Sequence, residues 1–447
     1  MKRTLAMVMS TCLLATSLVG CGSDNAKTEA PKTETPAEKV DVTADSVTLR
    51  FNWWGGDDRH TATLAAIDAF KAKYPNISIE AEYGGWDGHA EKITTQMTGG
   101  TAADILQVNY DWLLKFSPDG TGFYNLESLG DYLDLSTFNE NVLAFGRRKG
   151  VLNAIPVSTT GRSTYYNKTT FDKVGVAIPK TWDELLASGS AFAAQGLYPF
   201  DLDTGAGFPG WYMSVVYMQQ KTGRLFINED GTLGFTQEDV KEALDFYKSL
   251  EDAKVIRTQE ERSNEAGTTP LYQTPSWLDG KVAGVLEWSS SIGKYEKALE
   301  EKGRELVLGD LLMMDDAKST GWFMKPSLLF AINKDTKYPA HAATFLNYLL
   351  NDSEAAQILG TTRGIPASSA AKEALASTGE LDGVAFEGTT QIENCDPIIM
   401  SIYMENSEMK EAYKTAVEHV SYGTKSTEEA AAEMFEEMTD ILDAIAQ

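Results

Sequence analysis

Three cysteines in 447 residues, at positions 12, 21 and 395, leave no disulfide framework and no paired spacing for a zinc site. Histidine is as scarce: His60, His89, His341 and His419 are scattered, and no H-E-x-x-H occurs. Neither a resident metal nor a cofactor is therefore expected. Beyond the first 20 residues no apolar run approaches the length of a membrane span. Positive charge is also short, with 39 Lys and Arg against 65 Asp and Glu and a net charge of −26. Nucleic acid and polyphosphate both demand a basic face, so neither is an expected partner. No G-x-S-x-G elbow is present. One G-x-G-x-x-G match, Gly205 to Gly210, leaves no clear strand, and Phe208 and Pro209 occupy the turn where amides would approach phosphate. It reads as a flexible cleft loop beside Trp211.

What is present starts at the N-terminus. Lys2 and Arg3 precede an apolar stretch, Leu5 to Val19, that closes as Leu18-Val19-Gly20-Cys21. A basic start, an apolar core too short to span a bilayer, and a small residue before cysteine predict a lipoprotein signal peptide over 1–20. Cys21 is the expected acceptor of a diacylglycerol and a palmitate-type acyl chain. At about 0.8 kcal/mol per buried CH₂, such an anchor is nearly permanent. Residues 21–46 are rich in Thr, Glu, Lys, Ala and Pro and too poor in apolar groups to pack, so they predict a solvated linker. The expectation is an extracytoplasmic protein held to the cell membrane through lipid alone.

Periodicity then predicts an α/β body. Val47 to Trp53 alternates as a strand; Leu64, Ile67, Phe70 and Tyr74 form a helical stripe; Ile77 to Tyr83 alternates again. Residues 88–98 read as a helix and Asp104 to Val108 as a third strand. Strand–helix–strand–helix–strand predicts parallel pairing with right-handed crossovers, and ligands outside the strand carboxyl ends. Those ends carry Trp53-Trp54, Trp86 and Trp112. Thr181 to Glu184, Thr236 to Asp239 and Ser426 to Glu429 predict helix-opening capping boxes. Asn228-Glu-Asp-Gly231 predicts a hairpin turn, and the segments ending at Trp288 and Ile332 predict strands.

The order WWGG-x-x-RH, AADILQV, NAIPVSTTGRSTYYNKTTFDKVGV, PKTWDEL, GKVAGVLEW, KPSLLFAINKD and TRGIPAS resembles the family 1 extracellular solute-binding proteins, the sugar-capturing components of ABC importers. The opening, KPS and RGIP are most similar to lipoprotein binders of plant-cell-wall oligosaccharides, pectin fragments among them. The resemblance implies a two-lobed, type II periplasmic-binding-protein-like α/β fold with a hinge and a ligand cleft between lobes. The N-terminal lobe would be 47–160 plus 327–364, the C-terminal lobe 161–326 plus 365–447. Chain crossings would fall near Ser158–Arg162, Lys325–Ser327 and Arg363–Ala367. It also implies a monomeric carrier, not an enzyme, that hands an oligosaccharide to an ABC permease.

Sugars present apolar C–H faces and polar edges, so flat indoles with carboxylates, amides and guanidinium groups are the residue types to look for. The candidate ligand contacts are Trp54, Asp57, Asp58, Arg59, His60, Trp86, Asp87, Asn109, Asp111, Trp112, Trp211, Glu287, Trp288, Ser289, Trp322 and Arg363. Trp53, Trp182 and Trp277 read as core. Arg59, Arg162, Lys325 and Arg363 leave two readings open: they bind a uronate carboxylate, or they pair with Asp57, Asp58, Asp87 or Glu287 and orient neutral hydroxyl contacts. The competing class is an extracellular glycosidase or lyase, which would need two carboxylates about 5–9.5 Å apart.

Overall fold

Strand β1 (Val47–Trp54) runs into Gly55-Gly56 and helix α1 (Asp57–Lys73), whose first turn carries Asp57 and Asp58 against the helix dipole. The helix stops at Tyr74 because the residue before Pro75 is disfavoured in helical geometry. Strand β2 (Ile77–Gly84), helix α2 (His89–Thr98) and strand β3 (Ile105–Val108) follow, and β1 pairs in parallel with both β2 and β3. A computed structural model describes residues 39–447 apart from 87, 204–206, 268, 380 and 447. The expected signal peptide, Cys21, most of the linker, Asp87 and Gly205 lie outside the described residues.

After the short helix α3 (Trp112–Phe116) and the hairpin β4 (Arg147–Arg148) with β5 (Val151–Leu152), strand β6 (Ala154–Thr160) leads directly to β7 (Arg162–Asn167). The remaining strands are β8 (Gly284–Trp288), β9 (Leu306–Leu308), β10 (Phe323–Ile332) and β11 (Ile398–Ile399). Two sheets result. The first runs β2-β1-β3-β10, with β6 and β11 both on β10; β10 is antiparallel to β3 and β6 and parallel to β11. The second is antiparallel, β8-β7-β9.

Each sheet is buried on both faces. On the first, Phe51, Trp53 and Phe330 pack with the helix Pro339–Asn351, while Trp54, Leu106, Val108 and Leu329 fill the opposite face. On the second, Tyr166 and Leu286 join a large core from the helices Gly207–Thr222, Gln237–Asp252, Ser407–Ser421 and Thr427–Ala446. Tyr165 and Val285 face a smaller one with Trp277 and Tyr295. Trp53, Trp182 and Trp277 are core, as their sequence context predicts.

The Thr236–Asp239 and Ser426–Glu429 boxes close reciprocally, as spaced. At Thr181 only half forms: its hydroxyl accepts from Glu184 N–H, but the Glu184 carboxylate accepts from Lys180 N–H instead. The expectation of a flexible loop through Gly210 is corrected, since a helix is already formed from Gly207. Gly207 packs so tightly that an added Cβ would lie 2.3 Å from Lys414 Cα.

Gly161 is the only residue between β6 of the first sheet and β7 of the second. A Cβ there would lie 2.6 Å from the Phe323 carbonyl oxygen and 2.7 Å from an Ile392 methyl. Gly161→Ala should therefore cost about 1–3 kcal/mol through overpacking, read as a lower urea midpoint at unchanged secondary structure.

Candidate functional site

Three indoles meet at the carboxyl ends of the parallel strands. Trp54 ends β1, Trp86 follows β2, and Trp112 opens α3 after β3. Trp54 lies 5.2 Å from Trp86 and 5.3 Å from Trp112 between ring centres, and Trp86 stacks on Trp112 at 6.0 Å and 13°. Trp54 and Trp112 are buried, whereas Trp86 is 50% exposed and presents a wide aromatic surface. His89 lies nearly parallel to Trp112, and burial pushes its imidazole down to about 4, so it is neutral at physiological pH. His60 accepts a hydrogen bond from the Trp53 indole N–H at Nδ1, and burial lowers its pKa too.

Beneath this cluster lies a knot of arginine and amide. Arg59 Nη1 and Gln107 Nε2 both donate to the Trp54 carbonyl oxygen, at 3.0 and 3.1 Å. Arg59 Nε donates to the Thr362 carbonyl oxygen at 2.9 Å, and Arg363 Nε to Gln107 Oε1 at 3.1 Å. Asp57 and Asp58 are exposed, and neither forms an ion pair with Arg59. Asn109 donates to Asp111 within the turn before α3.

A second polar centre gathers where β6, β7, β8 and β10 adjoin. Trp288 is part-buried, with the Arg162 guanidinium 4.6 Å and the Lys325 ammonium 4.5 Å from its ring centre. Lys325 is buried and paired with buried Glu405 at 2.5 Å. Burial works to raise the Glu405 carboxyl, but Lys325 and Lys410 outweigh it and hold it below its usual range. Burial also lowers Lys325, against the pull of Glu405. Arg162 further approaches Phe208, as does Lys410 from another direction.

Of the expected contacts, Trp54, Trp86, Trp112, Asn109, Asp111, Arg59 and His60 gather around the strand ends, and Arg363 is tied to them through Gln107, with its guanidinium over the Phe330 ring. Trp288 belongs to the second centre. Glu287 and Ser289 turn inward: the Glu287 carboxylate accepts from Trp288 N–H and faces Lys294 at 3.8 Å, and Ser289 Oγ accepts from Thr389. Trp211 and Trp322 are corrections. Both are fully buried: Trp211 stacks on Tyr413 at 5.7 Å, and Trp322 lies parallel to Trp182 at 6.2 Å and donates to the Leu312 carbonyl oxygen. The cause is that the helix bearing Trp211 is covered on nearly every side, and Trp322 precedes the part of β10 that enters the larger core. Gln107, Glu405 and Lys410 were not anticipated. Only Gln107 left a signal, as a polar residue inside the apolar strand Ile105–Val108.

A groove of about 680 Å³ is lined by Tyr110, Phe145, Met324 and Lys372 among others, and includes none of the expected contacts. Thr159 donates to Glu393 in its lining, while Ser158 and Thr160 face Ser327 and Ser289. The groove's Tyr110 and Phe145 pack in the same apolar cluster as Trp54 and Trp112, so groove and indoles share one side of the first sheet.

The family model of bacterial extracellular solute-binding proteins matches residues 56–356. The chain belongs to this family. A periplasmic oligogalacturonide-binding protein from Yersinia enterocolitica, solved with saturated digalacturonic acid, is 35% identical over 90% of this chain and 100% of that one, with a TM-score of 0.83. A periplasmic solute-binding protein from Pectobacterium atrosepticum is also 35% identical with the same coverage and a TM-score of 0.86. Among curated proteins, a Brucella abortus binding protein is 31% identical over 194 residues, 41% of this chain and 45% of its own length. The chain thus spans about half the length of the curated relatives it matches. Like other extracellular solute-binding proteins it has the two-lobed α/β fold, and no helix among the described residues is long and apolar enough to cross a membrane.

Asp111 makes the electrostatics of this solute-binding protein testable. Burial raises its pKa, and Glu405 adds to the rise against weaker help from Lys410. A carboxyl raised in the folded state lowers stability above its folded pKa, and the loss is recovered as pH falls through that value. Asp111→Asn should therefore raise the ligand-free melting temperature at pH 7.5, with the gain fading toward pH 4.

Proposed function

We propose that this protein captures acidic oligosaccharides of the oligogalacturonide type and delivers them, as a monomer, to an ABC permease. The observation that carries the reading is the indole cluster together with part-buried Arg59 and buried Arg363, neither of which has a carboxylate partner among the described residues. Trp54, Trp86 and Trp112 offer an aromatic surface for a pyranose face. Arg59 and Arg363 beside them offer fork-shaped donors for a planar carboxylate. Likeness to the oligogalacturonide binder over the full length of that chain points to the same class of ligand.

The lobes proposed are 47–160 with 327–364 and 161–326 with 365–447, joined at Ser158–Arg162, Lys325–Ser327 and Arg363–Ala367. The change of sheet at Gly161 and the bridge from Ser158 to Pro366 support those crossings. Ligand contacts from both lobes would favour the closed arrangement; a hundredfold preference needs about 2.7 kcal/mol of differential contact.

Two further neighbours of similar likeness are designed esterases, one of them a cysteine esterase. Of a thiol nucleophile the described residues offer Cys395, part-buried at a helix end, with burial pushing its pKa up to about 11. It is protonated at neutral pH and poorly nucleophilic. Binding without turnover is the reading pursued.

Calorimetric titration with galacturonate, xylo- and manno-oligomers tests it: saturable heat with the galacturonate series and no product is the expected result. Turnover, or binding of neutral oligomers alone, would sink it. Trp86→Ala should weaken the favoured ligand about tenfold through loss of a stacking face. For the anchor, Cys21→Ser should abolish incorporation of an alkyne-tagged fatty acid and release the protein from membranes. Retained label would reject Cys21 as the acceptor.

A further inference from the structure

Two of this protein's buried arginines are neutralised by acids. Arg257 is paired with Asp201 and Glu265; Arg262 lies 2.9 Å from Asp201 and 3.8 Å from Glu251. Lys325 has Glu405. Arg363 is not so neutralised: it is 5% exposed, lies 5.6 Å from the Phe330 ring centre, has no hydrogen-bond partner for Nη2 among the described residues, and no carboxylate pairs with it there. Arg162, over the Trp288 ring, is likewise without an ion pair among the described residues. The nearest charged neighbour of Arg363 is another cation, Arg59, which also has no ion pair there.

Two like charges so placed are expensive. Removing a guanidinium from water without a counter-charge costs several kcal/mol, and leaving one of its donors unmade adds to that. Burial pushes Arg59 down to about 10 and Arg363 much further, with Arg59 adding to the effect on Arg363. The hydrogen bonds the pair makes, to the Trp54 and Thr362 carbonyls and to Gln107, are ones a neutral amide donor could make, and only the Phe330 ring beneath Arg363 favours a cation there.

We infer that Arg59 and Arg363 form a preorganised carboxylate subsite, completed by one uronate carboxylate of the ligand, and that this pair sets the preference for acidic over neutral sugar. The inference rests on the acidic-oligosaccharide reading above. It assigns the discrimination to this pair, two guanidinium groups placed together, rather than to Lys325, whose charge Glu405 meets, or to Arg162, a lone guanidinium over the Trp288 ring. Discrimination here comes at the expense of the empty protein, in which the two cations repel one another. Ligand binding should relieve the strain, so stabilisation by an acidic trimer should exceed that by a neutral one.

The experiment compares wild type with Arg363→Gln, titrating trigalacturonate and its carboxyl-reduced, neutral counterpart and recording the melting temperature without ligand. The expected result is a loss of about ten- to a hundredfold in trigalacturonate affinity, little change for the neutral trimer, and a ligand-free melting temperature no lower than wild type. A structural arginine would instead lower the melting temperature and weaken both ligands alike, which overturns the assignment. So does trigalacturonate affinity within about threefold of a wild type that itself binds tightly; the acidic-ligand reading then survives. A wild type that binds both trimers equally overturns that reading and this one together. Should Arg363→Gln not fold, Arg363→Lys replaces it. Retaining charge but not the fork, it should lose affinity for trigalacturonate alone; equal loss for both trimers is again the overturning result.

Discussion

Strand β10 must serve separate hydrophobic cores with one run of ten residues. Phe323 belongs to the helical core of the second sheet, and Leu328 to Ile332 fill both faces of the first. Between them the strand crosses from one interior to the next, and there it carries Lys325, Pro326 and Ser327. A charge in that passage has to be met on the spot. Glu405 and the Trp288 ring supply what it needs, while Arg162 shares the same indole. The polar centre at the junction is thus a consequence of threading one strand through several apolar environments, and it brings the helix after β11 into contact with the strand ends. Much of the site's architecture depends on that solution.

How the protein treats buried charge differs between its interiors. Around Asp201 it sets charge against charge, with Arg257 and Arg262 on the Asp201 carboxylate and Tyr247 between Arg262 and Glu251. Such networks are stiff and specify one arrangement. Around Arg363 the network is left open. Buried charge left without an opposite charge tends to fall at places of recognition.

Much of the first sheet was legible from residue patterns. Alternation located β1 and β2 and helical spacing located α1, so the ends carrying Trp54, Trp86 and Trp112 could be named in advance. Capping boxes at Thr236 and Ser426 were readable for the same reason: local hydrogen bonding depends on neighbours within four residues. Orientation of tryptophans in the second half was not. A helix buried nearly all round shows no polar face, so Trp211 carried no sign of pointing inward, and Trp322 sits at a strand entrance where either side was open. Glu405 and Lys410 lie 80 or more residues from Lys325 and announce themselves by no spacing. The partnership exists only because a short helical turn, Ile402–Glu405, folds back beside β10.

Pro326 adds a mechanical consequence. It pairs opposite Thr159, and the register between β6 and β10 slips on its C-terminal side. Proline has no amide hydrogen to donate, so the ladder is missing a rung at this point. A sheet yields most easily where a rung is absent, because flexing there breaks no backbone bond. The junction of β6 and β10 is therefore a crease already scored into the fabric, and bending there sacrifices little of what holds the sheet together.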